Sequence, residues 1–426
     1  MSADRHDPRS PLRRRLLAGA AASTLRLSAS ASAMALLAAG LLGGCAGARP
    51  ADRRAAAAPP TAPPAGLDAL VRRAMAATGA RGLALALIEQ GEVVFTGAWG
   101  VRNAAGEPLR TDAVIYGASL TKAAFGYLVL QLVEAGRLEL DQPLADRLRG
   151  PLPGDEDPAL VRRYTRFAGL ADDDRWRRLT ARHLLTHSGG FANFHWLEPD
   201  RRLRIHFEPG SRYAYSGDGL MLLQYVLEQG LGLDLEAEMQ RRLFQPAGLL
   251  RSSLRWREDF RPHVADGFDR DGRPRPHDER SRVRAAGSLD TTPADMARLA
   301  AHCLRGDGLG PALRAEWTRP QLPITTASQF PTLQPERSPP PHPRLAAGLG
   351  MLAFDGPQGP GFYKGGHDDV TANTWVGLEA GRRSVLILSN DVRAEPAFPA
   401  LVAAALGETG VPWAWEYPGM GFWKEG

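Results

Sequence analysis

The sequence predicts an α/β protein of the α+β type, in which strands from both ends of the chain form one antiparallel sheet. Two observations support this prediction. Runs with the turn signals of β-hairpins occur near both ends, and the long segment between them has helical and loop character. Because a sheet needs an apolar cover, we expect helices to flank it and a mostly helical lobe to be inserted between its two halves.

The first 45 residues are predicted to be an export signal. Three arginines, Arg13 to Arg15, precede an apolar run that ends in small residues and Cys45. This order describes a secretory signal and resembles a bacterial lipoprotein signal, with Cys45 as the lipidated residue. The paired arginines also resemble a twin-arginine signal, and an uncleaved signal anchor is the alternative. We therefore expect an exported, periplasmic or cell-envelope lipoprotein whose N-terminal lipid lies in a membrane.

Charge is concentrated at the start of the chain. Residues 1–54 contain nine arginines and three aspartates, whereas the remaining residues sum to −1 within a total formal charge of +5. A nearly neutral body has no electrostatic footprint for nucleic acid, so no such partner is expected. Residues 46–66 are rich in alanine and proline and predict a tether. With Cys45 lipidated, Cys303 has no partner for an intramolecular disulfide.

Residues 67–412 are predicted to fold as one domain, followed by a C-terminal tail at 413–426. Helical spacing in LDALVRRAMAATGA predicts the first helix, and GLALALIEQGEVVFTGAWGVRN predicts a hairpin. The segment LTKAAFGYLVLQLVEAG predicts a long, largely buried helix that ends at Gly136. Near the other end, NTWVGLEAGRRSVLILSND predicts a hairpin turning at Ala380-Gly381, and AFPALVAAALGET predicts a final helix. A proline-rich surface loop is expected at PTLQPERSPPPHPR.

Lysine is rare in this sequence, which makes its positions informative. Of 52 basic residues only Lys122, Lys364 and Lys424 are lysines. Lys122 follows Ser119 by three positions, so the two side chains share a face of the predicted helix. A serine becomes nucleophilic when a neighbour takes its proton, and a buried lysine can do so, whereas arginine does not deprotonate. Ser119 and Lys122 are therefore predicted to be a nucleophile and its base.

Two further stretches carry candidate groups. Lys364 precedes Gly365 and Gly366 beside a predicted strand, and glycines there would let a substrate lie along the strand edge; a plain glycine turn is the alternative. Tyr215 lies in a loop that enters a predicted amphipathic helix. A phenol between two lysines can act as a base, because the cations favour the phenolate. Tyr213 competes for that role, and either tyrosine could be a core aromatic.

Together these stretches resemble the class C β-lactamase-related serine hydrolases, which include D-Ala-D-Ala peptidases and β-lactamase-fold esterases. The resemblance covers roughly residues 66–412 and rests on Ser119-x-x-Lys122, LTARHLLTHSGGF, PGSRYAYSGDG, AAGSLDTTPADMARLA and Lys364-Gly365-Gly366. It implies a β-lactamase/transpeptidase-like fold with Ser119 as nucleophile. Lys122 and Tyr215 would share the proton transfers, and Lys364 would contact the phenol and the substrate.

The resemblance also implies how substrate is held. The N–H groups of Ser119 and His367 would form an oxyanion hole at the strand edge beside Gly366, and Gly365 would contact substrate. The family's tyrosine motif usually reads Y-x-N, whereas Gly217 occupies the asparagine position here and Asp218 follows it. Gly217 and Asp218 are thus expected at the substrate-binding position. The missing amide argues against efficient β-lactam hydrolysis and favours esters or peptides.

The predicted function is that of a serine hydrolase that forms an acyl-enzyme on an ester, amide or D-peptide, without a cofactor. The alternative is a catalytically silent lipoprotein that binds cell-wall peptide in the same cleft. His183, His187 and His195 could be metal ligands, as could the run His367-Asp368-Asp369. HLLTH lacks the glutamate of H-E-x-x-H, so no metal is expected, and GHDD is predicted to make turn hydrogen bonds.

Overall fold

An eight-stranded antiparallel sheet lies at the centre of the fold. The structure, a computed structural model, describes residues 64–333 and 344–425. The strands are β1 (Gly82–Glu89), β2 (Glu92–Gly100), β3 (Ile115–Ala118), β4 (Gly267–Phe268), β5 (Pro274–Arg275), β6 (Leu289–Thr291), β7 (Leu322–Pro323), β8 (Leu345–Ala347), β9 (Leu352–Gly356), β10 (Gly359–His367), β11 (Ala372–Leu378) and β12 (Arg383–Ser389).

Helices pack around the sheet, and most of them come from the segment of chain between its two halves. They are α1 (Leu67–Thr78), α2 (Leu120–Glu134), α3 (Pro158–Arg163), α4 (Ala181–Leu185), α5 (Gly217–Tyr225), α6 (Leu235–Met239), α7 (Pro293–Arg305), α8 (Pro311–Thr318), α9 (Phe398–Leu406) and α10 (Trp413–Glu416). Most of them, α3 to α8, come from the segment between the two ends of the chain, as the sequence predicts.

Both ends of the chain build the sheet, whose order is β2-β1-β12-β11-β10-β9-β8-β7. Strand β1 pairs with β12, and Ala86 lies opposite Leu386. The turn between β1 and β2 has positive φ at both Gln90 and Gly91, and two such residues give the backbone twist that a tight hairpin prefers. The predicted α+β fold with its two terminal hairpins is therefore confirmed.

The sheet is buried on both faces, which explains the continuous apolar run of β1. Leu85 and Leu87 pack with α1 and α9. Ala86 and Ile88 point to the other face, against α2 and α7. Successive side chains of a strand point to opposite faces, so a strand covered on both sides is apolar throughout.

Two helices behind the sheet's second face are buried on all sides. Every residue of α2 from Leu120 to Leu132 is buried, as predicted for this segment. All nine residues of α5 are also buried, so the expected amphipathic helix at this place is wrong. The reason is the inserted lobe, where Tyr164 and Phe167 pack against Tyr225 with ring centroids 5.1 and 4.9 Å away.

Several predicted segments lie outside the described residues. These are the signal at 1–45 with Cys45, most of the tether at 46–66, and most of the proline-rich segment PTLQPERSPPPHPR. Within residues 64–333 and 344–425, no helix has the length and apolar character that a membrane crossing requires. The segment 413–425, expected to be a tail, packs on the domain, with Trp415 and Tyr417 buried.

Candidate active site

Ser119 lies at the junction of β3 and α2. The preceding residue, Ala118, has a φ of 47°, a left-handed conformation that is unusual for a residue with a Cβ. The Thr121 hydroxyl donates a hydrogen bond to the Ala118 carbonyl at 2.6 Å and holds this turn. Such strain persists only where the surroundings over-determine it, and it is concentrated at functional sites. The turn leaves Ser119 half-buried at the wall of a cavity.

Lys122 approaches the serine from the next helical turn. Its Nζ lies 2.9 Å from Ser119 Oγ and also donates to the carbonyl of Ala286. The side chain is 1% exposed. Burial lowers the pKa of the Lys122 ammonium, the phenol of Tyr215 opposes that shift, and the charge of Lys364 adds to it. A lysine in this environment gives up its proton more readily than one in water.

Tyr215 is the second group that reaches the serine. Its hydroxyl lies 2.9 Å from Ser119 Oγ, so the phenol and Lys122 converge on one oxygen. The ammonium groups of Lys122 and Lys364 lie 5.0 and 5.1 Å from the centroid of its ring. Tyr213 is buried elsewhere, and its hydroxyl has no hydrogen-bond partner among the described residues. The structure therefore brings Tyr215, and not its competitor, to the serine.

His187 supports the tyrosine, a role that sequence reasoning missed. Its ring lies 4.5 Å from that of Tyr215 at an angle of 34°, and its Nδ1 accepts a hydrogen bond from the backbone N–H of Ser216 at 3.1 Å. Burial lowers the pKa of the imidazole well below its usual value, and the charges of Lys122 and Lys364 lower it further. A neutral imidazole with Nδ1 as acceptor carries its proton on Nε2. His187 is thus a positioning residue for Tyr215.

Strand β10 closes the site and depends on glycine. A Cβ at Gly366 would lie 3.1 Å from the backbone nitrogen of Ser119 and 2.9 Å from that of Leu120. Such contacts would push the strand away from the start of α2, so glycine is needed for this approach. Lys364 Nζ donates to the carbonyl of Gly365 at 2.5 Å. Burial lowers the pKa of Lys364 to about 8, and the carboxylate of Glu416 opposes that shift.

A cavity of about 530 Å³ joins these groups. Six of the predicted site residues line it: Ser119, Lys122, Tyr215, Lys364, Gly365 and His367. Most of its other walls come from parts of the chain that no motif singled out. They include the aromatic residues Tyr116, Phe194, Trp196, Phe330 and Tyr417, the arginines Arg270 and Arg284, and the carboxylates Glu395 and Glu416.

Two predicted substrate contacts are not supported by their positions. The ring of Phe194 covers Gly217, where a Cβ would lie only 2.3 Å from Phe194 Cε1. Asp218 is fully buried and does not line the cavity. Its carboxylate accepts the backbone N–H of His195 at 2.5 Å and lies 3.0 Å from that residue's Nδ1. Asp218 stands in the first turn of α5, and that turn directs it to the loop before it.

The histidines have separate structural surroundings. His183 Nδ1 accepts the Thr180 N–H at 3.4 Å and so helps to cap α4. His195 instead lies against Asp218. Within the described ranges, no three His, Cys, Asp or Glu side chains come together as a metal site would require. In GHDD, Asp368 accepts the N–H groups of Val370 and Thr371 at 2.9 and 2.8 Å, which are the predicted turn hydrogen bonds.

Curated relatives include hydrolases of more than one kind. The chain is 31% identical over 210 residues to a "Lovastatin esterase" of Penicillium rubens, covering 42% of this chain and 50% of that protein. It is 28% identical over 212 residues to "Esterase EstB" of Burkholderia gladioli, covering 43% and 49%. A "D-aminopeptidase" of Brucella anthropi is 30% identical over 192 residues, covering 44% and 35%. The matches thus span about half the length of the two esterases.

Solved structures and a family model agree with the fold. The penicillin-binding protein homologue from Pyrococcus abyssi, described as octameric, superposes with a TM-score of 0.61 at 19% identity, covering 80% of this chain and 77% of that one. This likeness concerns the fold alone. The Beta-lactamase family model matches residues 67–407, which contain Ser119, Lys122, Tyr215 and Lys364. The chain therefore belongs to the Beta-lactamase family, a group of hydrolases with esterase and D-peptidase relatives.

Proposed function

We propose that this protein is an exported serine hydrolase that forms an acyl-enzyme on Ser119 and acts on esters in preference to β-lactams. One observation carries the proposal: Ser119 Oγ receives both Lys122 Nζ and the Tyr215 hydroxyl at 2.9 Å within a cavity. A hydroxyl held between two groups that can exchange protons is the arrangement that nucleophilic catalysis needs. Amides and D-peptides remain within reach of the same chemistry.

The proposed reaction has two steps. Ser119 Oγ attacks the ester carbonyl, its proton passes to the deprotonated partner among Lys122 and Tyr215, and the carbonyl oxygen becomes an oxyanion. The N–H groups of Ser119 and His367 are the proposed donors to that oxyanion, and such donors contribute about 10²–10³ in rate. Collapse of the intermediate breaks the ester C–O bond, and the leaving oxygen takes the proton and departs as the alcohol. Water then cleaves the acyl-enzyme by the same route, and Ser119 recovers its proton.

The walls around Tyr215 favour esters with apolar groups. Phe194 occupies the space that a side chain at position 217 would need, and it stacks on Trp196 with centroids 4.2 Å apart and planes at 8°. An aromatic wall offers no amide to an acylamino group, whereas it gives contact area to an apolar one. The guanidinium of Arg284 lies 5.7 Å from the Trp196 ring and borders this wall. The two esterase relatives support ester hydrolysis as the reaction.

A fluorophosphonate probe tests the nucleophile. We expect one adduct per chain, and peptide mass spectrometry should place it on Ser119. Ser119→Ala should remain unlabelled, and so should heat-unfolded protein, because the reactivity depends on the assembled site. Unlabelled native protein that melts cooperatively would contradict the proposal and favour a silent binding protein.

Ester turnover is expected to exceed cephalosporin turnover. Gly217 supplies no side-chain amide for the acylamino group of a lactam, and the ring of Phe194 covers its position. The measurement compares kcat/KM for p-nitrophenyl esters, a D-Ala-D-Ala peptide and a chromogenic cephalosporin, with Ser119→Ala as background. A cephalosporin value on the order of 10⁴ M⁻¹s⁻¹ or more, where enzymes on their own substrates begin, would contradict this preference.

The envelope location is proposed from the sequence alone. Cys45 follows an apolar run led by arginines, and it lies outside the described residues. We expect metabolic labelling with a clickable fatty acid to mark the wild-type protein and not Cys45→Ser. The variant Cys303→Ser serves as the matched control, because Cys303 is buried in the domain. Equal labelling of wild type and Cys45→Ser would contradict lipid attachment at Cys45.

A further inference from the structure

One end of the cavity is lined by acidic groups that the reaction itself does not use. We propose that this end, formed by Gly365, Glu416 and Tyr417, is a subsite that takes a protonated amine of the substrate and excludes a substrate carboxylate. This specificity rests on the proposed ester hydrolysis at Ser119. All three residues line the same cavity as the serine, so one substrate can reach both.

Glu416 occupies space that a side chain at position 365 would otherwise take. A Cβ at Gly365 would lie 2.4 Å from Glu416 Oε1 and 3.6 Å from the Tyr417 hydroxyl. Gly365 follows Lys364 directly on β10, so the carboxylate contacts the residue next to Lys364. Glycine at 365 therefore lets a carboxylate from the C-terminal segment come up against β10, in the wall of the cavity that holds Ser119.

Among the described residues, the carboxylate of Glu416 has no ion-pair partner. The residue is 7% exposed, and its Oε2 has no hydrogen-bond partner among the described residues. The Tyr363 hydroxyl lies near it without reaching hydrogen-bonding geometry. Burial raises the pKa of the Glu416 carboxyl, and the charges of Lys364 and His367 oppose that shift from longer range. No lysine, arginine or histidine of residues 64–333 and 344–425 forms an ion pair with it. A buried carboxylate in this state is stabilised by a cation that also donates a hydrogen bond.

The neighbouring carboxylate is already balanced. Glu395 Oε1 lies 3.1 Å from His367 Nδ1, and its Oε2 lies 3.9 Å from Arg270. The carboxylate of Glu395 raises the pKa of His367, which favours the charged imidazolium beside it. Glu395 therefore has two cationic partners within the protein. Among the described residues, Glu416 differs from Glu395 in having no such ion-pair partner, so a cationic ligand could pair with it.

The ammonium of Lys364 does not fill that place. Its Nζ donates to the Gly365 carbonyl and stands 5.1 Å from the centre of the Tyr215 ring, so its hydrogen bond is made to the backbone and not to the Glu416 carboxylate. A substrate carboxylate placed against Glu416 would meet like charge with little water between them, and Coulomb repulsion is strong under such conditions. A protonated amine in the same place gains attraction, and the ring of Tyr417 offers it an aromatic contact.

Three matched aryl acetates test the inference. They carry dimethylaminomethyl (protonated at pH 7), isobutyl or carboxymethyl at the meta or para position, so the first two have nearly the same shape. We expect the wild-type protein to rank kcat/KM as cation above neutral above anion for at least one isomer. Glu416→Gln should lower the cation-to-neutral ratio by about tenfold or more, since a charge-assisted hydrogen bond is lost.

Glu408→Gln is the matched control, because Glu408 is exposed and carries the same charge in the same part of the chain. It should leave the ratio as in the wild type. A ratio near one in the wild type, or an unchanged ratio in Glu416→Gln, would overturn the subsite while ester hydrolysis stands. A preference for the carboxymethyl ester would overturn it as well.

A binding measurement separates this inference from the proposed function. If no ester is hydrolysed, the proposed function fails, and calorimetric titration with benzyldimethylammonium and with phenylacetate still reports on the subsite. We expect the cation to bind more tightly than the anion. In Glu416→Gln the ratio of the two dissociation constants should fall at least tenfold. Equal or reversed binding of the two ions to the wild type would overturn the subsite.

Discussion

Lys122→Arg is expected to slow acylation of Ser119 at least ~10²-fold, the low end for loss of a general base. Lys122 is buried, and burial lowers its pKa, so its amine can become neutral and take a proton. Arginine keeps the positive charge and does not deprotonate in proteins. The variant thus separates the charge of this position from its proton chemistry. Mass spectrometry of the fluorophosphonate adduct over time measures the acylation rate directly.

The sequence provides a matched control for this substitution. Lys424→Arg makes the same chemical change at an exposed lysine and should acylate like the wild type. The larger guanidinium at position 122 must fit a packed site, and overpacking costs about 1–3 kcal/mol, so thermal melts accompany the kinetics. Lys122→Met, without charge and without the larger head group, is the second variant if Lys122→Arg does not fold. Near-normal acylation by a folded Lys122→Arg would show that Lys122 is only an electrostatic anchor.

The parts of the site that the sequence predicted are those that local spacing determines. Ser119 and Lys122 meet because residues three apart share a helix face, and 2.9 Å between their side chains follows from that spacing. Lys364 and the glycines after it lie on one strand, so their order along the edge was readable. Both hairpins were readable for the same reason, since turn residues and apolar runs are local signals.

The parts that it missed depend on pairs far apart in the chain. Glu416 comes within reach of Gly365 only because the segment after α9 folds back on the domain. Phe194 covers Gly217 because a loop before α5 returns to its first turn. Neither side chain belongs to a recognised motif, and no local periodicity relates one to the other. The sequence predicts an amphipathic helix at α5, and this is wrong for the same reason, because the residues that cover α5 come from the distant inserted lobe.

The position of the tyrosine at the site depends both on local signals and on contacts between distant residues. The sequence predicts a phenol near the site but does not distinguish Tyr213 from Tyr215, which are two residues apart. In an extended segment such residues point to the same side, so alternation does not distinguish them. The distinction comes from contacts: Tyr215 reaches Ser119 and packs on His187 at 4.5 Å, whereas Tyr213 lies in the core beside Trp415.

Tyr215→Phe is expected to lower kcat for ester hydrolysis by about 10²–10⁴-fold, the range typical of general acid–base groups. The substitution removes one oxygen, the group 2.9 Å from Ser119 Oγ, and keeps the ring that packs on His187. The hydroxyl is proposed to take part in proton transfer both when the alcohol leaves and when water cleaves the acyl-enzyme, so both steps should slow. Because the loss falls on the reacting state, kcat and kcat/KM should decrease together, with little change in KM.

Tyr213→Phe is the internal control, since it removes the same oxygen two residues away. That hydroxyl is buried without a hydrogen-bond partner among the described residues, so its removal should leave the rate unchanged and cost little or no stability. Steady-state kinetics on one p-nitrophenyl ester, with thermal melts of both variants, make the comparison. Equal losses in the two variants would mean that the phenol acts through packing, and a fully active Tyr215→Phe would leave Lys122 as the base of both steps without a partner.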